Sequence, residues 1–283
     1  MAPVPLETLL ARFDRIRPLP GVARRVVELV EDDAASVDKI QAEILKDQVI
    51  TARLLKLCNS AYYGFPRKIG AVSEAVVLLG FTAVRSLVLS LGLKEIIQAP
   101  LEGYSMAAGE LWRHSLACAL IARRIAQISG YADVERAYTA GLLHDIGKVA
   151  LDQFVRAEYS EIVRRTESGG KTFSQAEQEI LGFDHCQVGK MLLDHWRLPA
   201  VLVEAVFLHH RPSEAALDPR LAAITHAADG LTLMAGFGLG ADGLAYKVDP
   251  QAMARLGLDS EKIEAVLGTV PDLVGGGLRA YED

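Results

Sequence analysis

Cysteine is scarce in this 283-residue chain, and Cys58, Cys118 and Cys186 are odd in number and far apart. That usage excludes a disulfide-stapled scaffold and fits reduced thiols in a cytoplasmic protein. Positive charge is short as well: 30 lysines and arginines against 36 aspartates and glutamates leave a formal net charge of −6. Nucleic-acid-binding domains carry a basic stripe, so nucleic acid is not an expected partner. No apolar run reaches the length of a bilayer span before charge or glycine breaks it, and Met1-Ala2-Pro3-Val4-Pro5 is no signal peptide, so no membrane is expected. Sustained alternation of apolar and polar residues is also missing, so no sheet is predicted. What the chain does have is 51% hydrophobic residues, enough for a large core.

Helical spacing accounts for nearly all of it, and the expected fold class is all-α. Amphipathic segments are read at about Leu6–Ile16, stopped by Pro18-Leu19-Pro20, then from Gly21 through Val30. Another follows Ser36 as N-cap, and further ones span Thr51–Ser60, Val72–Leu79 and Thr82–Ile97, with Gly80 as a terminator. Ala99-Pro100-Leu101-Glu102-Gly103 is the best boundary, giving parts 1–99, 100–235 and 236–283. A long helix over about Ser105–Ser129 carries Leu111, Ala117, Cys118, Ile121, Ile125 and Ile128 on one stripe. His114 lies on that stripe, with Glu110 one turn before it. Ser174-Gln175-Ala176-Glu177 matches a capping box, with Gly182 closing that helix. Asp184 opens a helix whose inward stripe is His185, Val188, Gly189, Leu192 and Trp196. Pro199 suits the first turn of a helix running to His209-His210. Asp218-Pro219 starts the last strong helix, where His226 and Asp229 share the face of Ala222 and Thr225. In the tail, Asp259 caps a short helix through Leu267, and Gly275-Gly276-Gly277 reads as mobile.

The chemistry centres on Ala140-Gly141-Leu142-Leu143-His144-Asp145-Ile146-Gly147-Lys148, read as helical. An ionised carboxylate among apolar residues is costly unless a cation pairs with it. A divalent metal, or the ammonium of Lys148 one turn on, meets that need. Ala137, Ala140 and Gly141 leave room for a second helix to approach. Taken singly, His114, His185 and His226 read as hydrogen-bonded core histidines, Asp229 as a cap or ion-pair member, and His209-His210 as helix-end residues. Taken together, five helices each bring a His or Asp to an inward position. Imidazole plus carboxylate is the ligand mixture of Fe, Mn or Zn sites, and an Asp beside a His can bridge two ions.

The order His114, His144-Asp145 with Lys148, His185, His209-His210, Asp229 resembles that of the HD superfamily of metal-dependent phosphohydrolases. It is most similar to the HD-GYP branch, where a glutamate placed as Glu110 joins the site. The glycine-rich loop ending in Tyr-Pro that follows the double histidine there is absent; this chain has His209-His210-Arg211-Pro212-Ser213-Glu214. The first half resembles the HDOD family. The resemblance rests on Leu19-Pro20-Gly21-Val22 and on Ile44–Leu55, with Gln48 where that family has proline. It extends through Leu57-Cys58-Asn59-Ser60-Ala61-Tyr62-Tyr63-Gly64, Ala71–Gly80 and Val84-Arg85-Ser86-Leu87. It covers about residues 18–210.

Together these resemblances imply an HD-type helical bundle with an N-terminal helical HDOD subdomain. They also imply metal ligation by Glu110, His114, His144, Asp145, His185, His209, His210 and Asp229, with Asp145 bridging two divalent ions, Fe or Mn ahead of Zn or Mg. Two functions remain open. One is a bacterial signal-transduction module with a protein partner. The other is a phosphohydrolase acting on a phosphoester or nucleotide, with Asp145 and Lys148 as catalytic residues. An open cleft beside the ligands favours chemistry; a site capped by Glu110 or by the N-terminal helices favours regulation. From the residues alone, Tyr62 and Tyr63 read as core, and Arg85 as a buried-edge residue tying the two halves together.

Overall fold

The computed structural model describes residues 16–32, 34–238, 246 and 248–282, with Pro5 and Thr8 besides. Among them the chain is helical with no strand; a lone antiparallel bridge joins Leu101 and Met106. The all-α expectation holds. The segment read at Leu6–Ile16 lies almost wholly outside the described residues. No described helix is long and apolar enough to cross a membrane. The chain divides into two compact units, one of residues 18–96 with 271–283, the other of residues 1–17 with 97–270.

The first unit holds α1 (Gly21–Val30), α2 (Val37–Ile44), α3 (Gln48–Cys58), α4 (Val72–Leu79) and α5 (Phe81–Ile97) up to its last residue. Ser36 caps α2 as expected, its hydroxyl accepting from Lys39 N at 3.3 Å. The next helix starts three residues earlier than read, because the Asp47 carboxylate accepts from Val49 N and Ile50 N and fixes the start there. Asn59 ends α3 by donating to Leu55 O and Ile69 O and accepting from Ile69 N, which pins the following loop to the helix. Arg85 is 2% exposed and ion-paired with Glu31 inside this same unit. Tyr62 and Tyr63 are half-buried, edge to face at 5.1 Å, rather than core.

In the second unit a 3-10 turn (Glu102–Tyr104) and a left-handed Ser105 precede α6 (Glu110–Ile128). This helix therefore starts later than the apolar pattern suggests. There follow α7 (Val134–Leu143), α8 (Gly147–Gly169), α9 (Phe173–Leu181), α10 (His185–His195), α11 (Ala200–Phe207), α12 (Pro219–Met234) and α13 (Pro250–Leu256), while α14 (Ser260–Glu282) belongs to this unit up to Val270 and to the first from Pro271. Here α6 is the central element, buried almost all round, with α7 and α12 packed on it. Gly141 makes the α6–α7 approach possible: a Cβ there would lie 2.9 Å from Cys118 O.

Three readings need correction. The capping box of α9 is Thr172 with Gln175, not Ser174; the Ser174 hydroxyl instead donates to Asp184 Oδ2 at 2.9 Å. The helix after Pro199 ends at Phe207, so His209-His210 stand in the turn beyond it. In the tail, Asp259 accepts from Lys262 N as expected, but α14 runs to Glu282 through Pro271 and Gly275-Gly276-Gly277. Val266, Val270 and Val274 are fully or almost fully buried at four-residue spacing, and such burial outweighs the poor helix propensity of glycine.

Gly147 and Gly189 set the contact between α8 and α10. A Cβ on Gly147 would lie 2.0 Å from His185 O and 2.5 Å from Gly189 N, both rigid backbone atoms. Gly147→Ala is expected to cost about 3 kcal/mol, at the upper end of overpacking penalties, as a shift of the denaturant midpoint with unchanged slope.

Candidate metal centre

Where the side chains converge, the chain leaves regular helix. His144 and Asp145 occupy the turn between α7 and α8, not a helix interior. His185 is the first residue of α10, and His209-His210 follow α11. His114 and Asp229 come from within α6 and α12. Turns and helix ends let side chains from different elements aim at one point, and small residues at the contacts bring the elements close enough.

Asp145 lies at the centre, 2% exposed. Its Oδ2 is 3.4 Å from His114 Nε2, 3.3 Å from His144 Nε2 and 2.5 Å from Lys148 Nζ. Its Oδ1 faces the other way, 3.6 Å from His185 Nε2 and 3.9 Å from His209 Nε2. Asp229 Oδ1 closes the first group at 3.3 Å from His114 Nε2 and 3.5 Å from His144 Nε2. His210 Nε2 closes the second at 3.1 Å from His185 Nε2. Sets of these groups have their donor atoms within 4.8 Å of one another and could hold a metal ion: His114, His144 and Asp229; His144, Asp145 and His209; and His185, Cys186, His209 and His210.

The outer nitrogens of four histidines are fixed by acceptors. His114 Nδ1 donates to Phe237 O at 3.1 Å, His144 Nδ1 to Gly141 O at 2.7 Å, and His209 Nδ1 to Val206 O at 2.6 Å. His185 Nδ1 donates to Glu177 Oε2 at 2.7 Å. With the outer nitrogen protonated, each neutral ring turns an Nε2 lone pair inward. His114 Nε2 and His144 Nε2 then face each other at 3.1 Å, an arrangement that needs a proton or a cation between them. These donors fit a divalent metal, and the backbone and carboxylate partners are the outer shell such ligands require.

The electrostatics agree. Burial opposes charge on His114, but the carboxylates of Asp145 and Asp229 outweigh it and raise its pKa above the usual histidine value. His144 is raised further against the same burial, chiefly by Asp145. His185 is also raised well above the usual value against burial, first by Cys186 and then by Glu177. Burial and the charges of His144 and His185 push His209 down to about 3. Burial also works against Asp145 as an anion, yet His144 and Lys148 hold its carboxyl well below the ordinary range.

Glu110 does not join the cluster: its carboxylate turns back to accept from Ala107 N, completing the exposed start of α6. His226 is a satisfied core histidine, donating through Nδ1 to His209 O at 2.7 Å and accepting from Asp249 N at Nε2. Three contributors were not singled out from sequence. Glu177 is fully buried, binds His185 through both ring and backbone, and accepts from Tyr104 OH at 2.5 Å. Its signal was present, an acid on the stripe of Phe173, Ala176 and Leu181. Tyr246 stacks on His226 and meets His210 edge to face; it follows a glycine-rich stretch and carried no signal. Gly238, at φ +73°, lies so close to His114 that a Cβ would meet its ring at 2.6 Å. A cavity of about 620 Å³ opens onto Asp145, Lys148, His185, His210 and Asp229, and is lined farther out by Gln175, Gln178 and Arg211.

The comparisons with known proteins follow this geometry. The HDOD domain model matches residues 16–212. An uncharacterized protein of Treponema pallidum (strain Nichols) is 27% identical over 209 residues, 70% of this chain and 38% of that protein. The chain thus spans well under half the length of that curated relative. Among solved structures, an HDOD domain protein of unknown function from Geobacter sulfurreducens is 25% identical with a TM-score of 0.70, covering 95% of this chain and 99% of that one. A proposed signal transduction protein from Marinobacter aquaeolei VT8 is 21% identical with a TM-score of 0.73, covering 100% of this chain and 61% of that one, and shares the fold. With its first-half motifs and its helical architecture both accounted for, the chain belongs to the HDOD family.

Proposed function

We propose that the chain is a bacterial HDOD signal-transduction module that holds two divalent metal ions and relays the occupancy of its cavity to a protein partner. The ligands are His114, His144, His185, His209, His210 and Asp229, with Asp145 bridging. The observation that carries this reading is the division of labour at Asp145: one oxygen faces His114 and His144, the other His185 and His209. That is the disposition a carboxylate bridging two ions needs. The inward lone pairs favour Fe, Mn or Zn over Mg, which prefers oxygen. The signalling assignment draws on the family and on the proposed role of the Marinobacter protein.

Phosphoester hydrolysis is the second reading, and the cavity favours it. Lys148 is 2% exposed, yet its ammonium reaches the cavity wall beside Asp145. It is placed to hold a phosphoryl oxygen and to offset charge developing there. Gln175 and Gln178 supply neutral polar groups for the rest of a nucleotide-sized ligand. Bound metal supplies Lewis acidity toward the phosphoryl group; the chain's own residues position and shield it.

Protein purified without chelator is expected to carry metal, and His144→Ala to lose most of it; full retention in that variant refutes the ligand set. Against bis(p-nitrophenyl) phosphate and cyclic dinucleotides the module reading expects no turnover, whereas metal-dependent turnover abolished by Asp145→Asn establishes the hydrolase. Metal loading should also weaken as pH falls. The raised pKa values of His114, His144 and His185 mean that protons occupy the metal-free site near neutrality and compete with the ion. Calorimetry in buffers of different ionisation enthalpy should show proton release on binding, and a pH-independent affinity contradicts it.

A further inference from the structure

Cys186 takes no part in the ligand set above, yet it stands inside the second half of the cluster. It is 1% exposed and unpaired. Its sulfur lies 3.7 Å from His209 Nδ1 and 3.9 Å from His209 Nε2. That sulfur and one nitrogen each of His185, His209 and His210 all lie within 4.8 Å of one another. On a tetrahedral ion with bonds of about 2.3 Å to sulfur and 2.0–2.1 Å to nitrogen, a sulfur and a nitrogen ligand stand roughly 3.6 Å apart and two nitrogens roughly 3.3 Å apart. The observed 3.9 Å and the 3.1 Å between His185 Nε2 and His210 Nε2 bracket those spans.

His209 gives the independent observation. Its ring is fully buried and its Nδ1 is committed to Val206 O, so Nε2 presents a lone pair. Among the polar atoms near that nitrogen are Asp145 Oδ1, itself an acceptor, at 3.9 Å, and the Cys186 sulfhydryl, also at 3.9 Å, the outer limit of a sulfur hydrogen bond. That long S–H contact is a weak partner for a fully buried acceptor, and a cation shared by the nitrogen and the sulfur would replace it. Cys118 serves as an internal control: it sits beside His144 but belongs to none of the donor groupings.

We propose that Cys186 is a ligand of the metal held by His185, His209 and His210, so that this half of the site carries a thiolate and selects a borderline-soft cation, zinc or ferrous iron, over manganese and magnesium. The proposal rests on the metal reading above. As the sulfur–metal bond forms, the thiol S–H breaks and its proton leaves to solvent, with no change of oxidation state. Thiolate ligands select soft and borderline ions, whereas the His/Asp half alone discriminates less.

The test uses the full chain loaded with cobalt(II). Wild type and Cys118→Ser are expected to show a sulfur-to-cobalt charge-transfer band in the near ultraviolet. Cys186→Ser should still bind cobalt but lack the band, and should lose zinc affinity by about 10- to 100-fold with manganese affinity unchanged. A cobalt-loaded wild type without the band, or a band that survives in Cys186→Ser, overturns the thiolate ligand and leaves the His/Asp site standing. A wild type that takes up no metal overturns both. If Cys186→Ser does not fold, X-ray absorption of zinc-loaded wild type decides: a sulfur shell at about 2.3 Å supports the proposal, and nitrogen and oxygen alone refute it.

Discussion

The buried carboxylate of Asp145 is the constraint around which the second unit is arranged. An anion this far from water carries a desolvation cost of several kcal/mol, and it persists only where positive or proton-donating groups surround it. Lys148 supplies one charge from the same turn. Protons or an ion held by the histidines supply the rest, and four of the rings are aimed by acceptors outside the cluster: the carbonyls of Gly141, Val206 and Phe237, and the carboxylate of Glu177. Because those acceptors sit on the backbone or on buried helices, the ring orientations are fixed before anything binds. Pre-set ligand geometry of this kind lowers the reorganisation that binding would otherwise require.

The helical packing serves the same end. Gly141 lets α7 close on α6, and Gly147 lets α8 close on α10, so His144, Asp145 and His185 arrive within a few ångströms of one another. Any side chain at either glycine would strike backbone rather than a movable side chain. Close contact of helix backbones is therefore a condition for the cluster, not a by-product of the core.

Much of this was legible in the sequence, and the rest was hidden for physical reasons. The adjacent His144-Asp145, the inward register of His114, and the shared face of Ala222, Thr225 and Asp229 follow from 3.6-residue periodicity. Periodicity gives the face of a helix, not what lies opposite, so it could not separate His226, which is held by His209 O and Asp249 N, from the histidines that converge. The resemblance placed Glu110 in the site, whereas its carboxylate finds a nearer donor in Ala107 N. Helix starts were displaced where a side-chain cap two or three residues away did better, as at Asp47 and Thr172. In α14 the buried valine row overrode a run of glycines. Cys186 was visible only as one of three odd thiols, because its neighbour His209 is 23 residues away.

A signalling role and a hydrolytic one need not use different parts of this molecule. Gln175 and Gln178 of α9 line the cavity, while Glu177 between them points the other way and holds His185 by both its ring and its backbone N–H. One short helix thus touches the ligand space with one face and an inward-facing imidazole with another. A molecule that shifts α9 on entering the cavity must alter how firmly His185 is aimed, and metal at His185 must alter how the cavity wall is set. Linkage makes the two effects equal in free energy. In this arrangement metal binding does not by itself separate a sensor from an enzyme; what would separate them is whether a ligand entering the cavity is cleaved or kept.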